Sequence, residues 1–222
     1  GHSSYHCISR PGLKVGAEIQ FEKLTGTITD VQGIERTIHF NQEESALRIT
    51  LSQIGTMPTP PYIKKLLENS KDYQTIYAKY GFSAAAPTAG LHFTPELLET
   101  IKLNHSWHEL TLNVGLGTFL PVKENRVEDH HMHAESYTIS PTTARTLTHP
   151  LLAIGTTTMR ALESGISPGS HSTSIFIYPP YQFQMVDALM TNFHLPGSTL
   201  LMLVSAFCSA PQTSTPFISF SD

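Results

Sequence analysis

The sequence predicts a mixed α/β main domain preceded by a small antiparallel β module. Short β-rich segments separated by glycine turns fill residues 1 to about 52. From Tyr73 onward, strand-like and helix-like segments alternate, which favours an α/β domain. Between the two regions, three prolines at positions 58, 60 and 61 exclude a central strand. We therefore expect a small domain over residues 1–55 and a main domain over residues 56–222.

Four strands are predicted in the small domain. Segments 17–21, 26–31 and 36–41 are rich in β-branched and aromatic residues, with turns at Gly26 and Gly33. Segment 46–51, Ala-Leu-Arg-Ile-Thr-Leu, alternates cleanly between apolar and polar residues and is predicted as the next strand. The prolines that follow favour a short helix opening at Tyr62.

Capping residues mark the helices of the main domain. Thr94-Pro95 and Ser140-Pro141 each combine a capping hydroxyl with proline at the first helical position. A buried strand at 151–155 leads into a short helix that stops at Gly165. Further strands are predicted at 108–114 and 173–179, and a buried helix at 198–207.

Composition limits the classes of function. Charged residues make up only 14% of the chain, against about 25% in typical domains. The net charge of −4 argues against a generally basic nucleic-acid binder but allows a local basic face. Cys7 and Cys208 match no metal-binding spacing, and the longest apolar run, residues 200–208, is too short to cross a bilayer. We expect a cytoplasmic protein without a membrane partner.

Five segments place polar groups beside glycine or proline, and each has a structural alternative. His92 lies just before a helix start, a position that suits a bound anion. The structural alternative is that His92 belongs to a capped turn. His131, His133 and Glu135 would share one face of an extended segment, where they would bind a metal, transfer protons or be solvated. The segments are residues 87–94, 113–119, 127–137, 154–164 and 186–197.

The last two segments carry the most polar groups next to apolar runs. Three threonines follow a buried strand at Gly155, where α/β folds commonly bind ligands; the alternative for Arg160 is an ion pair with Glu163 within the helix. Asp187, Asn192 and His194 are costly to bury unless they bond to each other or to a substrate.

Together these motifs resemble one known family. PTAGLHFT, LNVGLGTFLPV, MHAESY, IGTTTMRALES and VDALMTNFHLPGSTLLMLVSAF occur in this order. They look like the motifs of the S-adenosylmethionine:tRNA ribosyltransferase-isomerase family of queuosine biosynthesis. GTMPTPPYIKK, DYQTIYA and SRPGLKVG fit the same family, so the resemblance spans residues 9 to 207. The family's Asn-Asp-Thr-Arg motif is not found in these 222 residues, and Ser136 stands where the family has tryptophan.

The resemblance implies both a fold and a reaction. It implies a barrel-like α/β main domain with a small antiparallel β-barrel domain inserted. The implied reaction moves the ribosyl group of S-adenosylmethionine onto 7-aminomethyl-7-deazaguanine in the tRNA anticodon. Epoxyqueuosine-tRNA forms, and adenine and methionine are released. S-adenosylmethionine is then a substrate, no cofactor or metal is expected, and the protein is expected to be a monomer.

Candidate residues follow from the resemblance and from the chemistry. Proton transfer needs acid and base groups, and hydrogen-bonding side chains must hold the ribose. The candidate acid/base residues and their partners are His92, His133, Glu135, Asp187 and His194. The candidate substrate-binding residues are Thr88, Gly90, Asn113, Gly115, Gly117, Thr156, Thr157, Arg160 and Asn192. A basic surface for tRNA is expected from Arg10, Lys14, Lys64, Lys65 and Lys71.

Two alternatives remain open from the residues alone. A metal-dependent hydrolase would use His131, His133 and Glu135 as ligands. A tRNA-binding protein without catalysis would keep the RNA surface but release no adenine.

Overall fold

The structure is a computed structural model that describes residues 3–9, 11–56, 69–80, 85–115, 126–209 and 217–220, with single residues at 59, 63, 67, 83, 122 and 124. Contacts divide the chain into two compact units, Gly1–Met57 and Pro58–Asp222. Among the described residues, every helix falls short of the length and hydropathy that a membrane crossing needs. The predicted helix start at Tyr62, the cations Arg10, Lys64 and Lys65, and Gly117 lie outside the described residues.

The first unit contains a four-stranded antiparallel sheet with the strand order β1-β4-β3-β2. The strands are β1 (Ser3–Ile8), β2 (Glu18–Gln20), β3 (Thr25–Gln32) and β4 (Glu35–Phe40). The sequence analysis missed β1, which pairs with β4 along its whole length. In the described residues β1 and β2 lie at opposite edges of the sheet, so no closed barrel is formed.

Helix α1 (Glu44–Ile54) occupies the segment predicted as a fourth strand, and that prediction is wrong. In an alternating strand, Leu47 and Ile49 would lie on the same buried face. In the structure Leu47 is fully buried, whereas Ile49 is 60% exposed. Leu47, Leu51 and Ile54 recur at helical spacing and pack against the sheet. Arg48 also pairs with Glu44 one turn earlier, at 2.6 Å.

The second unit contains two three-stranded sheets, which confirms the mixed α/β class. One sheet is parallel, with the order β10-β9-β7, and the other is antiparallel, with the order β5-β6-β8. The strands are β5 (Thr111–Asn113), β6 (Glu135–Ile139), β7 (Leu152–Ile154), β8 (Gly169–Thr173), β9 (Ala188–Asn192) and β10 (Phe217–Phe220).

Helix α4 (Thr156–Ser164) contacts both sheets of this unit. Its residues Met159 and Leu162 join Leu189 of β9 in the larger hydrophobic core. Helix α5 (Thr199–Ser209) closes that core from another side. The site described below therefore sits on elements that are packed on their apolar faces.

The predicted caps are confirmed at helices α2 (Pro95–Asn104) and α3 (Pro141–Thr146). The hydroxyl of Thr94 accepts from the Leu97 N–H at 3.2 Å, and that of Ser140 from the Thr143 N–H at 3.0 Å. Each hydroxyl satisfies a backbone donor that the helix itself leaves without a partner.

The strand predicted at 173–179 is largely wrong, because β8 ends at Thr173. The Thr173 hydroxyl accepts from the Ile175 N–H at 3.1 Å, and the Ile175 carbonyl accepts from Arg160 Nε at 3.2 Å. The N–H and the carbonyl of Ile175 therefore bond to side chains rather than to a neighbouring strand.

Candidate active site

The carboxyl ends of β7 and β9 meet at one edge of the parallel sheet. Ile154 lies opposite Met190, and the Gly155 N–H donates to the Met190 carbonyl at 2.8 Å. Gly155 has a φ of 89°, which favours glycine, and it turns the chain directly into α4. Thr156, which is buried, and Thr157 lie in the first helical turn, where backbone N–H groups lack partners within the helix. Open α/β sheets commonly bind ligands at such an edge.

A 3-10 turn, Thr88–His92, contacts β9 and brings His92 to the same edge. Asn192 is the last residue of β9 and is only 5% exposed. Its side-chain nitrogen lies 3.5 Å from His92 Nε2. Two residues predicted for the site, 100 positions apart, are thus neighbours.

His194 is held at this edge by a buried hydroxyl. Thr191 is 2% exposed, and its Oγ1 lies 3.1 Å from His194 Nε2. The neighbours Phe193 and Leu195 are largely exposed, whereas His194 is half-buried. The imidazole is therefore turned toward the sheet edge while its apolar neighbours face solvent.

Gly90 was predicted to allow close approach of a ligand, but a protein side chain takes that space. A Cβ at Gly90 would overlap the Tyr77 hydroxyl and lie 2.7 Å from Thr75 Cγ2. Burial, together with the negative charge of Glu109, raises the pKa of Tyr77 to about 12. Gly90 is thus required for packing against a neutral phenol.

Glu135 and Arg160 form a buried ion pair beside the first turns of α4. The side chains are 2% and 4% exposed, and Arg160 Nη1 donates to Glu135 Oε2. Arg160 Nε donates to the Ile175 carbonyl at 3.2 Å, while Nη2 has no partner within the described residues. Thr156 lies one turn before Arg160 on the same face of α4.

This ion pair replaces two sequence-based expectations. The alternative that paired Arg160 with Glu163 within the helix is wrong, because Arg160 reaches across to β6. The expectation that Glu135 orients and charges His133 on a shared face is not met either. The strand begins only at Glu135, and His133 is exposed where Glu135 is buried. The Glu135 carboxylate pairs instead with the guanidinium of Arg160, which is charged at any working pH.

The end of β5 lies close to this ion pair. The Gly115 N–H points at Glu135 Oε1 across 3.4 Å, and the Asn113 side chain donates to Ser136 Oγ at 3.2 Å. Among the described residues, the atoms nearest to a Cβ at Gly115 would lie at 3.9 Å. Their packing leaves room beside Gly115, which is consistent with the predicted ligand approach.

His131, His133 and Glu135 do not form a metal site. Within the described residues, no group of three or more His, Cys, Asp or Glu side chains is arranged to hold a metal ion. Both histidines are exposed, whereas Glu135 is buried against Arg160. The geometry that the hydrolase alternative needs is absent from these three residues.

Asp187 lies at the amino ends of β7 and β9, whereas Asn192 lies at the carboxyl end of β9. This position corrects the expectation that Asp187, Asn192 and His194 share one pocket. Asp187 precedes β9, and an extended strand places it about 16 Å from Asn192. Its Oδ2 accepts from His149 Nδ1 at 2.6 Å and from the Leu151 N–H at 2.7 Å. The carboxylate therefore ties the start of β9 to the start of β7.

Comparison with known proteins identifies the family. The sequence profile described as "Queuosine biosynthesis protein" matches residues 3–217. The chain belongs to the queuosine biosynthesis protein family. Curated relatives named S-adenosylmethionine:tRNA ribosyltransferase-isomerase are 44% identical in Finegoldia magna, 46% in Natranaerobius thermophilus and 47% in Desulforamulus reducens. These matches cover 98%, 93% and 92% of this chain.

The chain spans 71%, 65% and 65% of the lengths of those three family members. A crystal structure of S-adenosylmethionine tRNA ribosyltransferase from Thermotoga maritima is 30% identical, with a TM-score of 0.42. That match covers 93% of this chain and 60% of the other.

In this queuosine biosynthesis family member, Glu163 has a role that was not predicted: its carboxylate organises the segment before β9. Oε1 accepts from the N–H groups of Met185 at 2.9 Å and Val186 at 3.0 Å. Oε2 accepts from the Gln184 N–H at 2.9 Å and from the Tyr181 hydroxyl at 3.3 Å. Burial and the charge of Glu163 raise the pKa of Tyr181 to about 12, so its phenol stays a donor. No sequence pattern indicates these partners.

His149 was also missed, and its bond to Asp187 gives a testable pH dependence in this family member. Partial burial alone raises the pKa of Asp187, but the hydrogen bonds from Leu151 and His149 and the charge of His149 outweigh it. The net pKa of Asp187 is therefore lowered. Its contribution to stability is fully present above the ordinary value of about 3.9 and is lost as the pH falls through the lowered value.

We expect Asp187→Asn to lower the free energy of unfolding by about 1 kcal/mol at neutral pH, because both hydrogen bonds that Oδ2 accepts lose the negative charge of their acceptor. The difference from wild type should disappear once the pH falls below the lowered pKa of Asp187. Urea unfolding across this pH range measures it. A difference that persists unchanged in acid would show that the charge of Asp187 is not involved.

Proposed function

We propose that this chain acts as an S-adenosylmethionine:tRNA ribosyltransferase-isomerase. In this proposal it transfers and isomerises the ribosyl moiety of S-adenosylmethionine onto 7-aminomethyl-7-deazaguanine in the tRNA anticodon. The products are epoxyqueuosine-tRNA, adenine and methionine. S-adenosylmethionine is the ribosyl donor, a substrate rather than a cofactor.

One observation carries the proposal: relatives with this name are 44–47% identical to the chain over 92–98% of its length. The polar edge of the parallel sheet supports it, because the motifs shared with the family converge there. The loop after β9, the Thr88–His92 turn and the first turn of α4 come from three separate motifs.

The reaction needs a base beside the sulfonium and an acid that assists the departure of adenine. His92 and His194 are the candidates at the sheet edge, since imidazole exchanges protons near neutral pH. His133, exposed just before β6, is a third candidate. Asn192, Thr156 and Thr157 would hold the ribose through amide and hydroxyl groups.

Three other predicted residues have positioning roles in this proposal. Glu135 holds Arg160 and the Gly115 end of β5, so this pair would fix the wall of the site next to α4. Asp187 would act from the far edge by aligning β9 with β7. These roles differ from the acid/base roles that the sequence suggested for Glu135 and Asp187.

We also propose finer features of the partner and the architecture. The tRNA substrate favours a cytoplasmic protein, and we propose that it acts as a monomer. The antiparallel sheet of the first unit is compatible with the small β-barrel domain expected from the family. The two sheets of the second unit are compatible with a barrel-like main domain.

The test measures adenine released from S-adenosylmethionine under three conditions: with tRNA carrying 7-aminomethyl-7-deazaguanine, with the same tRNA carrying guanine, and without tRNA. We expect stoichiometric adenine only with the deazaguanine tRNA, together with transfer of ribose label to that tRNA. Binding of tRNA without adenine release would instead indicate a binding protein that lacks the activity. Adenine release that does not depend on tRNA would also overturn the proposal.

A further inference from the structure

The described residues that line a shallow groove in the second unit include none of the candidate site residues named above. It has a volume of about 530 Å³ and runs between the end of α2 and α3. The lining residues that matter for its chemistry are Lys102, His105, Trp107, His108, Thr142 and Thr146. Four of these six carry cationic, titratable or aromatic groups, and two carry hydroxyls.

The groove is rich in hydrogen-bond donors. None of the described residues that line it carries an acidic side chain. Lys102 pairs with Glu99 at 3.2 Å, but both side chains are exposed, at 39% and 71%. Such an exposed pair stabilises little, so the ammonium can exchange Glu99 for another anion. His105 is exposed, and His108 Nδ1 lies 3.3 Å from Thr146 Oγ1.

The tryptophan in the groove is held rigidly. The Trp107 ring packs edge-on against Phe93 and Tyr77, with centroid distances of 5.4 and 5.5 Å. Its Nε1 donates to Glu109 Oε1 at 3.3 Å, and Glu109 is itself paired with Lys79 at 2.7 Å. Glu109 is therefore shared between the Trp107 N–H and the Lys79 ammonium, and the indole itself is only partly buried.

We propose that this groove binds a single-stranded nucleotide segment of RNA. A backbone phosphate would sit among Lys102, His105 and His108, and the attached nucleoside would rest on Trp107. Proteins that bind unpaired strands combine a cationic groove with aromatic side chains on which bases stack. The choice of RNA, rather than another phosphate ester, rests on the proposed function.

Trp107 reports on this groove without any label, because it is the one tryptophan in the 222 residues. We expect its fluorescence to change saturably when tRNA is titrated in. Lys102→Ala and His105→Ala should each weaken tRNA binding several-fold. Lys102→Ala should also lower the slope of log affinity against log salt by about 1, the loss of one phosphate contact.

Arg126→Ala is the matched control, since Arg126 is an exposed cation of the same unit that pairs with Glu128 at 3.6 Å and does not line the groove. Inorganic phosphate is titrated separately. The inference is overturned if Trp107 emission stays constant while tRNA binds, if Lys102→Ala behaves as Arg126→Ala, or if phosphate alone reproduces the change. Absence of tRNA binding overturns it as well.

The two proposals fail separately. Fluorescence changes with the predicted variant effects but without adenine release would sustain the groove and remove the ribosyltransferase activity. Adenine release without a change in Trp107 fluorescence would sustain the ribosyltransferase activity and remove the groove as an RNA-binding site.

Discussion

Arg160→Met is expected to lower the free energy of unfolding by about 3–5 kcal/mol, because it leaves the buried Glu135 carboxylate without its counter-charge. Both side chains are almost completely buried. Four elements meet at this pair: β6 through Glu135, α4 through Arg160, the end of β5 through the Gly115 N–H, and the segment after β8 through the Ile175 carbonyl. Urea unfolding followed by Trp107 fluorescence measures the loss in the second unit.

Lys102→Ala is the matched control, since it removes one partner of an exposed ion pair in the same unit. We expect it to change stability by less than about 1 kcal/mol. A double variant, Glu135→Leu with Arg160→Met, should recover much of the loss because no charge then remains buried without a partner. If Arg160→Met were no more destabilising than Lys102→Ala, the buried ion pair would not hold these elements together.

His194→Ala is expected to lower the rate of adenine release by about 10²- to 10⁴-fold, the usual contribution of an acid or base group. The side chain is half-buried, and its hydrogen bond to Thr191 helps to orient it. Loss of this one side chain should cost about 1 kcal/mol of stability or less, since its neighbours on the loop are exposed. Single-turnover assays at saturating S-adenosylmethionine separate the chemical step from binding.

Two further variants sharpen this test. Thr191→Val keeps the imidazole but removes its hydrogen-bonding partner, and we expect a smaller loss of rate. His6→Ala removes an exposed histidine of the first unit and should leave the rate unchanged. A His194→Ala protein that retained full activity per folded molecule would refute a catalytic role for His194, whatever its stability.

The sequence by itself determined the features that depend on neighbouring residues. Thr94-Pro95 and Ser140-Pro141 start helices because a hydroxyl and a proline act within one turn. Gly165 ends α4 because its φ of 139° disfavours other residues. The order of the long motifs also indicated the family before any contact was known.

Only the tertiary structure decided the partners that lie far apart along the chain. Burial of Leu47 against the sheet made 44–54 a helix, although its alternation favoured a strand. Glu135 pairs with Arg160, 25 positions away, rather than with His133 two positions away. The length of β9 separates Asp187 from Asn192, while folding brings His92 to Asn192. Local spacing cannot specify these contacts, because the free energy that selects them comes from burial and long-range pairing.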